Sequence, residues 1–445
     1  MAQWEQSIER ALSRVVDVRP QEVRAMLWAF AYFFCLLTSY YVLRPVRDEM
    51  GVAGGVRNMP WLFSATLITM LVAVPIYGAL VARLPRARFI PLVYHFFALN
   101  LVLFWLLLSF RIFPGEAARA FFVWISIFNL FVVSIFWSFL ADLFRTEQAK
   151  RLFGFVAAGG TAGALLGPTL TVSLAGLLGP ANLLLVAMIF LEIAVFCAMR
   201  LELTAERTEP IEAEKAPKAI GGNPFAGFSL ILRSPYLAGI ALWVILLSLA
   251  GTFLYFAQAE LVSAASGDPA TRTRIFAAID LASALLTLVV QFLATGRLIQ
   301  RFGTGPAAAF LPLIFAIGFA ILAAQPLLVV AMAFQALQRT SNFAISNPAR
   351  EMLFTSVDRE EKYKAKNIID GALFRGADAL WAWAFTALRG TGLDVTGIAL
   401  VTIPIALGWL VLALGLGRAQ DNAPRNKRPH SQEKRHEGQH RSDAP

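Results

Sequence analysis

The amino-acid sequence predicts an all-α polytopic membrane protein of twelve transmembrane helices in two six-helix halves. Three observations carry this. Apolar runs long enough to cross a bilayer fill the chain from Val23 to Gly417, and about 20 apolar residues form a helix that satisfies its own backbone across about 30 Å of hydrocarbon. The 445 residues are 58% hydrophobic with mean hydropathy +0.63, which excludes an ordinary soluble domain. The longest polar interruption follows the sixth run and precedes the seventh.

Residues 1–22 place Trp4, Ile8, Ala11, Leu12, Val15 and Val16 at helical spacing around Arg10 and Arg14. That pattern suits an amphipathic segment on the cytoplasmic membrane surface, and a short packing helix equally well. The first half, 23–200, contains spans near 23–43, 60–82, 89–109, 118–140, 152–176 and 180–200. Cys35 and Cys197 sit inside two of these spans, so no disulfide framework or metal site is expected. The linker, 201–235, is rich in Glu, Lys, Pro and Ala until Ile220. The second half, 236–417, holds spans near 236–262, 275–295, 306–324, 326–344, 368–388 and 396–417, and a basic polar tail, 418–445, is expected to be disordered in the cytoplasm.

Charge placement sets the expected orientation. With both termini cytoplasmic, about 29 Lys and Arg fall in cytoplasmic segments and about 8 in exterior loops. The chain is expected in the cytoplasmic (inner) membrane. The net charge of +10 is then accounted for without a nucleic-acid partner.

Each half carries a related motif after its second span. The first reads Gly78-x-Leu80-x-x-Arg83 and the second Gly296-x-Leu298-x-x-Arg301. Both resemble the G-x-L-a-D-R-x-G-R signature of the major facilitator superfamily, although the usual Asp is Ala82 and then Gln300. The resemblance implies that fold, with substrate held near the midplane and alternating access between the halves. Span five carries Gly154, Gly159, Gly160, Gly163, Gly167 and Pro168. Its spacing resembles the antiporter motif of facilitator-fold drug exporters without the terminal Gly pair, and tight helix packing explains it as well. No G-x-x-x-x-G-K-[ST] loop, nucleophile–base pair or metal-ligand cluster occurs, so neither ATP hydrolysis nor another enzymatic activity is expected, and no cofactor is called for.

Two basic clusters remain. Span one ends in Leu43-Arg44-Pro45-Val46-Arg47-Asp48, whose guanidiniums suit phosphate or carboxylate, or an anchoring cluster of Arg47–Asp48 or Arg44–Glu49. Around span eleven run Asn347-Pro348-Ala349-Arg350-Glu351-Met352 and Lys362-x-Lys364-x-Lys366-x-x-Ile369-Asp370, then Arg375 and Asp378. Lys366–Asp370 at i,i+4 and Arg375–Asp378 at i,i+3 are positioned to pair along one helix.

These segments, with Trp137-x-Phe139 and Ala149-Lys150-Arg151-Leu152-Phe153, resemble in order the motifs of the bacterial and plastid ATP/ADP translocases. Arg47 stands for that family's lysine, Gln148 for its glutamate and Asp142 for its asparagine. The resemblance implies nucleotide exchange, with basic residues meeting phosphates.

Polar stripes inside the spans point to a central cavity. Gln335, Arg339 and Asn342 share a face of span ten; Ser248, Thr252 and Tyr255 share one of span seven; Asn129 marks span four. The expected substrate is a small anionic, phosphate-bearing metabolite, a nucleotide first. Arg44 and Arg47 are placed on one side, opposed by Arg339, Lys366 and Arg375. Asp280 and Glu260 are proton-coupling candidates for the alternative reading, a proton-coupled exporter. A third reading is a membrane receptor or assembly factor that has lost transport.

Overall fold

The computed structural model describes residues 18–83, 86–205, 226–291, 293, 301, 303–357 and 359–422. Gly296, most of the amphipathic segment, most of the linker and the tail from 423 lie outside them, as does the side chain of Arg83.

The described chain is helical throughout. The first half contains α1 (Val23–Ala53), α2 (Met59–Arg83), α3 (Arg86–Ser109), α4 (Pro114–Leu143), α5 (Thr146–Leu178) and α6 (Pro180–Ala205). A short helix, α7 (Ala226–Arg233), precedes α8 (Pro235–Ala265), α9 (Pro269–Val290) and α10 (Thr304–Ala324). Next come α11 (Leu328–Ser341), α12 (Asn347–Leu353), α13 (Arg359–Asn367), α14 (Phe374–Gly390) and α15 (Val395–Asp421). Starts are marked by proline and by capping oxygens: Ser234 accepts from the Leu237 amide before Pro235, and Asp268 from the Thr271 amide before Pro269. Gly179, at φ 79°, makes the tight turn between α5 and α6 in a conformation that a side chain would strain.

Among the described residues, ten helices are long and apolar enough to cross a membrane. The tenth and eleventh predicted spans take another form. Each is two helices joined by a π-helical segment, Asn342–Ser346 between α11 and α12, and Ile368–Leu373 between α13 and α14. Their longest helices, α11 and α14, have 14 and 17 residues, shorter than any of the ten. Such π-turns widen the helix locally and recur at functional sites.

Buried apolar residues form two clusters. One draws on α1–α6, from Val18 just before α1 to Leu201; the other on α7–α15, joined by Val52 and Met59 of the first half. Within the first half, α5 lies close against α1: a Cβ on Gly159, Gly163 or Gly167 would strike the backbone of Phe30, Phe34 or Thr38. Gly154 meets nothing within 4 Å. The close approach therefore rests on Gly159, Gly160, Gly163 and Gly167, with Gly154 outside it. In the second half, Gly305 on α10 and Gly417 on α15 make a similar approach.

Across the halves, α5 meets α9, α2 meets α14, and α1 meets α8 and α9. Several side-chain contacts between the halves gather at the end away from the termini. There Arg272 donates to Glu49 at 2.7 Å, Trp383 donates to Ser64 at 3.0 Å, and Trp61 stands edge-on to Trp383. Phe63 packs against Tyr255 and Phe256.

Candidate transport cavity

Below that closure a cavity of about 250 Å³ lies between the halves. α1 supplies Arg44 and Arg47, α2 Phe63 and Thr66, α4 Phe122 and Ser126, and α8 Ser248, Thr252 and Tyr255. Gln335, Gln338 and Arg339 come from α11, Asn342 from the π-helical segment after it, and Arg375 and Asp378 from α14. A second cavity of about 270 Å³ shares Arg44 and Arg339 and runs along α1 back to Phe33, towards the end that carries the termini. At 1.5 Å per residue, Arg44 to Phe33 covers about 16 Å.

Four arginines and one aspartate line the main cavity. Arg47 donates through Nε and Nη2 to Asp48 Oδ1 at 2.9 and 2.5 Å, and Tyr255 donates to the same oxygen at 3.0 Å. Asp48 therefore ties α1 to α8. The Arg47 guanidinium also lies 5.2 Å from the Phe122 ring centre. Arg339 donates to Asp280 Oδ1, and Arg44 Nε lies 3.7 Å from Asp280 Oδ2. Arg375 pairs with Asp378 Oδ2 at 3.4 Å, while Ser248 donates to the other oxygen at 2.6 Å. The acceptor oxygens Gln335 Oε1 and Asn342 Oδ1 have no hydrogen-bond partner among the described residues. The arrangement offers planar cations and amides to an anion, through charge-assisted hydrogen bonds that are stronger than neutral ones.

Of the residues singled out from the sequence, Arg44, Arg47, Tyr255, Gln335, Arg339, Asn342 and Arg375 line the main cavity. Asn129 and Lys366 do not. Lys366 lies at the terminus-bearing end with its ammonium 2.6 Å from both Glu351 oxygens, and Asp370 pairs with Arg350 at 3.1 Å. The expected Lys366–Asp370 pair is thus replaced by two crossed pairs between α12 and the helix that follows. The π-turn at Ile368–Leu373 alters the i,i+4 register on which that expectation stood. Arg375–Asp378 does pair along one helix, and Arg47–Asp48 forms, whereas Glu49 engages Arg272 instead of Arg44. Asp280 borders the second cavity. Glu260 lies apart, paired with Arg389 at 2.9 Å in a cleft it shares with Arg57. Gly78 lies on α2, and Arg301 lies beyond α9, each away from the cavity lining.

Sequence reasoning passed over Thr66, Ser126 and Gln338 as lining residues. Their signal was present but faint: single polar residues in apolar runs, and for Gln338 a position three after Gln335 on the same helix.

An all-helical bundle of paired six-helix halves, closed at one end around a basic cavity, defines a membrane transporter of the major facilitator fold. Solved structures agree on that fold. The nucleoside transporter NupG aligns with TM-score 0.61 at 14% identity, covering 90% of this chain and 99% of its own. A bacterial homologue of the iron transporter ferroportin, in its inward-facing state, aligns with TM-score 0.64 at 12% identity, covering 90% and 98%. The sequence profile of the TLC ATP/ADP transporter family matches residues 119–418, and the chain belongs to that family. Among relatives, ADP,ATP carrier protein 1 of Chlamydia trachomatis serovar D is 23% identical over 90% of this chain and 89% of its own. That of Chlamydia muridarum is 23% identical over 79% of each.

Proposed function

We propose that this integral membrane protein is a secondary transporter that exchanges phosphate-bearing anions, ATP and ADP first, by alternating access. The observation that carries this reading is the cavity between the halves, to which α1 contributes two arginines and α11 and α14 one each. A phosphate held there touches both halves, so its binding free energy bears on their relative position. The similarity to ADP,ATP carrier proteins and the membership of the ATP/ADP transporter family support the nucleotide. The Gln335, Gln338 and Asn342 amides suit the base or ribose, and the guanidiniums suit the phosphates. Asp48, Asp280 and Asp378 serve as counter-ions when the cavity is empty. On this reading both termini lie in the cytoplasm and the protein in the inner membrane, and the second cavity runs towards the cytoplasmic end.

The test is uptake of labelled ADP into proteoliposomes preloaded with unlabelled ATP, compared with empty ones, for wild type, Arg47→Gln and Arg339→Gln. Saturable uptake that needs internal nucleotide is expected, falling about a hundredfold in either variant, from loss of a charge-assisted pair of about 3 kcal/mol. Normal transport by both variants would sink the site assignment.

A further inference from the structure

Asp280 holds a position that phosphate binding alone does not explain. It is 3% exposed and sits on α9 between two arginines that both line the main cavity. Arg339, on α11 of its own half, donates to Oδ1. Arg44, on α1 of the other half, lies 3.7 Å from Oδ2, and that oxygen accepts no hydrogen bond among the described residues. One carboxylate oxygen is therefore fully engaged within the second half. The other reaches across to the first half through charge alone.

We propose that Asp280 is a built-in substitute for the substrate's phosphate, which locks the empty carrier and so enforces exchange. This rests on the function proposed above. Carboxylate and phosphate oxygens compete for the same guanidinium donors, and Arg44 cannot serve both fully. With the cavity empty, Asp280 shares its single charge between Arg44 and Arg339 and holds α1 against α9 in the present, closed-end arrangement. A bound phosphate takes over Arg44, the cross-half pair opens, and the halves are free to rock. The empty carrier has no such release and stays as it is. A carrier that has released its substrate at the terminus-bearing end is then held there until another anion binds, and the site gives exchange in place of one-way flux towards that end.

The resident carboxylate also lowers apparent affinity. Observed affinity scales with the fraction of time the site is free, so a pair closed about 90% of the time conceals about tenfold in affinity. Removing the charge while keeping the shape should reveal it.

The experiment compares wild type with Asp280→Asn, and with Asp280→Ser as a second neutral variant should the first fold poorly. Purified protein is checked for monodispersity and thermal stability, then assayed for labelled ADP binding. Proteoliposomes holding the carrier with its terminus-bearing end outward are loaded with labelled ADP and diluted into buffer with or without external ADP. Wild type should release label only when external ADP is present. The neutral variant should bind ADP about tenfold more tightly and release label into nucleotide-free buffer. Both changes are required, and a variant lacking either one overturns the inference. If wild type binds and exchanges ADP while the variant behaves identically, the lock is wrong and the proposed function stands. If wild type neither binds nor exchanges ADP, the proposed function fails and the lock fails with it.

Discussion

Replacing Glu49 with Gln should loosen the closed end of the transporter and shift it towards the opposite opening. Glu49, near the end of α1, and Arg272, in the first turn of α9, have side chains 5% and 10% exposed, with Arg272 Nη2 donating to Glu49 Oε1 at 2.7 Å. Removing one partner of a buried ion pair costs about 3–5 kcal/mol when the other charge is stranded. Arg272 is not wholly stranded, because Nη1 still donates to the carbonyls of Ser266 and Gly267 at 3.2 and 3.1 Å. Gln can also accept one bond from it. The loss is thus nearer that of a single charge-assisted hydrogen bond, about 2 kcal/mol. That corresponds to about a 30-fold shift in the balance between closed and open forms at this end. Spin labels on residues flanking α1 and α9 at the closed end would report it by double electron–electron resonance. Glu49→Gln should populate a longer distance that wild type scarcely visits, and Arg272→Gln should do the same. The double variant should fall close to either single one, because the two act through one pair. An unchanged distance distribution in both single variants would refute the reasoning, and would mean that the aromatic contacts of Trp61, Phe63 and Trp383 hold this end by themselves.

Gly163→Ala should destabilise the protein by about 1–3 kcal/mol in detergent thermal unfolding, since its Cβ would meet the Phe34 carbonyl and the Thr38 amide, neither of which can yield. Gly154→Ala, facing open space, should be neutral or stabilising by up to about 1 kcal/mol through helix propensity; equal behaviour of the two would contradict the packing account. Glu22 predicts a pH effect at the terminus-bearing end. Burial raises its pKa, but bonds from Arg151, the Arg19 amide and Gln148, with the Arg151 charge, leave it below the usual carboxylate value. A carboxylate depressed in the folded state contributes stability that is present above its unfolded pKa and lost as pH falls through the folded one. Acidification below about pH 4.5 should therefore cost wild type stability that Glu22→Gln no longer has to lose. Parallel acid profiles in the two proteins would show that the brace contributes nothing.

Much of the fold was legible because lipid judges each helix singly. A run such as 180–200 reads as a span whatever its neighbours do, since its backbone must be satisfied and its side chains dissolved in hydrocarbon. The broken spans ten and eleven were found by the same means, although Gln335, Arg339 and Arg375 lower their apolar content. The π-turns within them were not foreseen, for nothing in Asn342–Ser346 or Ile368–Leu373 marks an extra residue per turn. Polar residues at helical spacing likewise announced a cavity face on spans seven and ten, because burying them in lipid without purpose is costly.

By itself, then, the sequence determined the helical membrane class, the six-plus-six order, the family and the cluster of basic residues from which the cavity is built. These depend on local quantities: transfer free energy, helical period and short motifs. Tertiary structure decided who pairs with whom. Glu49 meets Arg272 over 223 positions, Asp280 meets Arg339 over 59, and Lys366 turns from its neighbour Asp370 to Glu351. Such partnerships depend on how helices far apart in the chain are set against one another, and Coulomb and hydrogen-bond energies change steeply over the few ångströms that this packing controls.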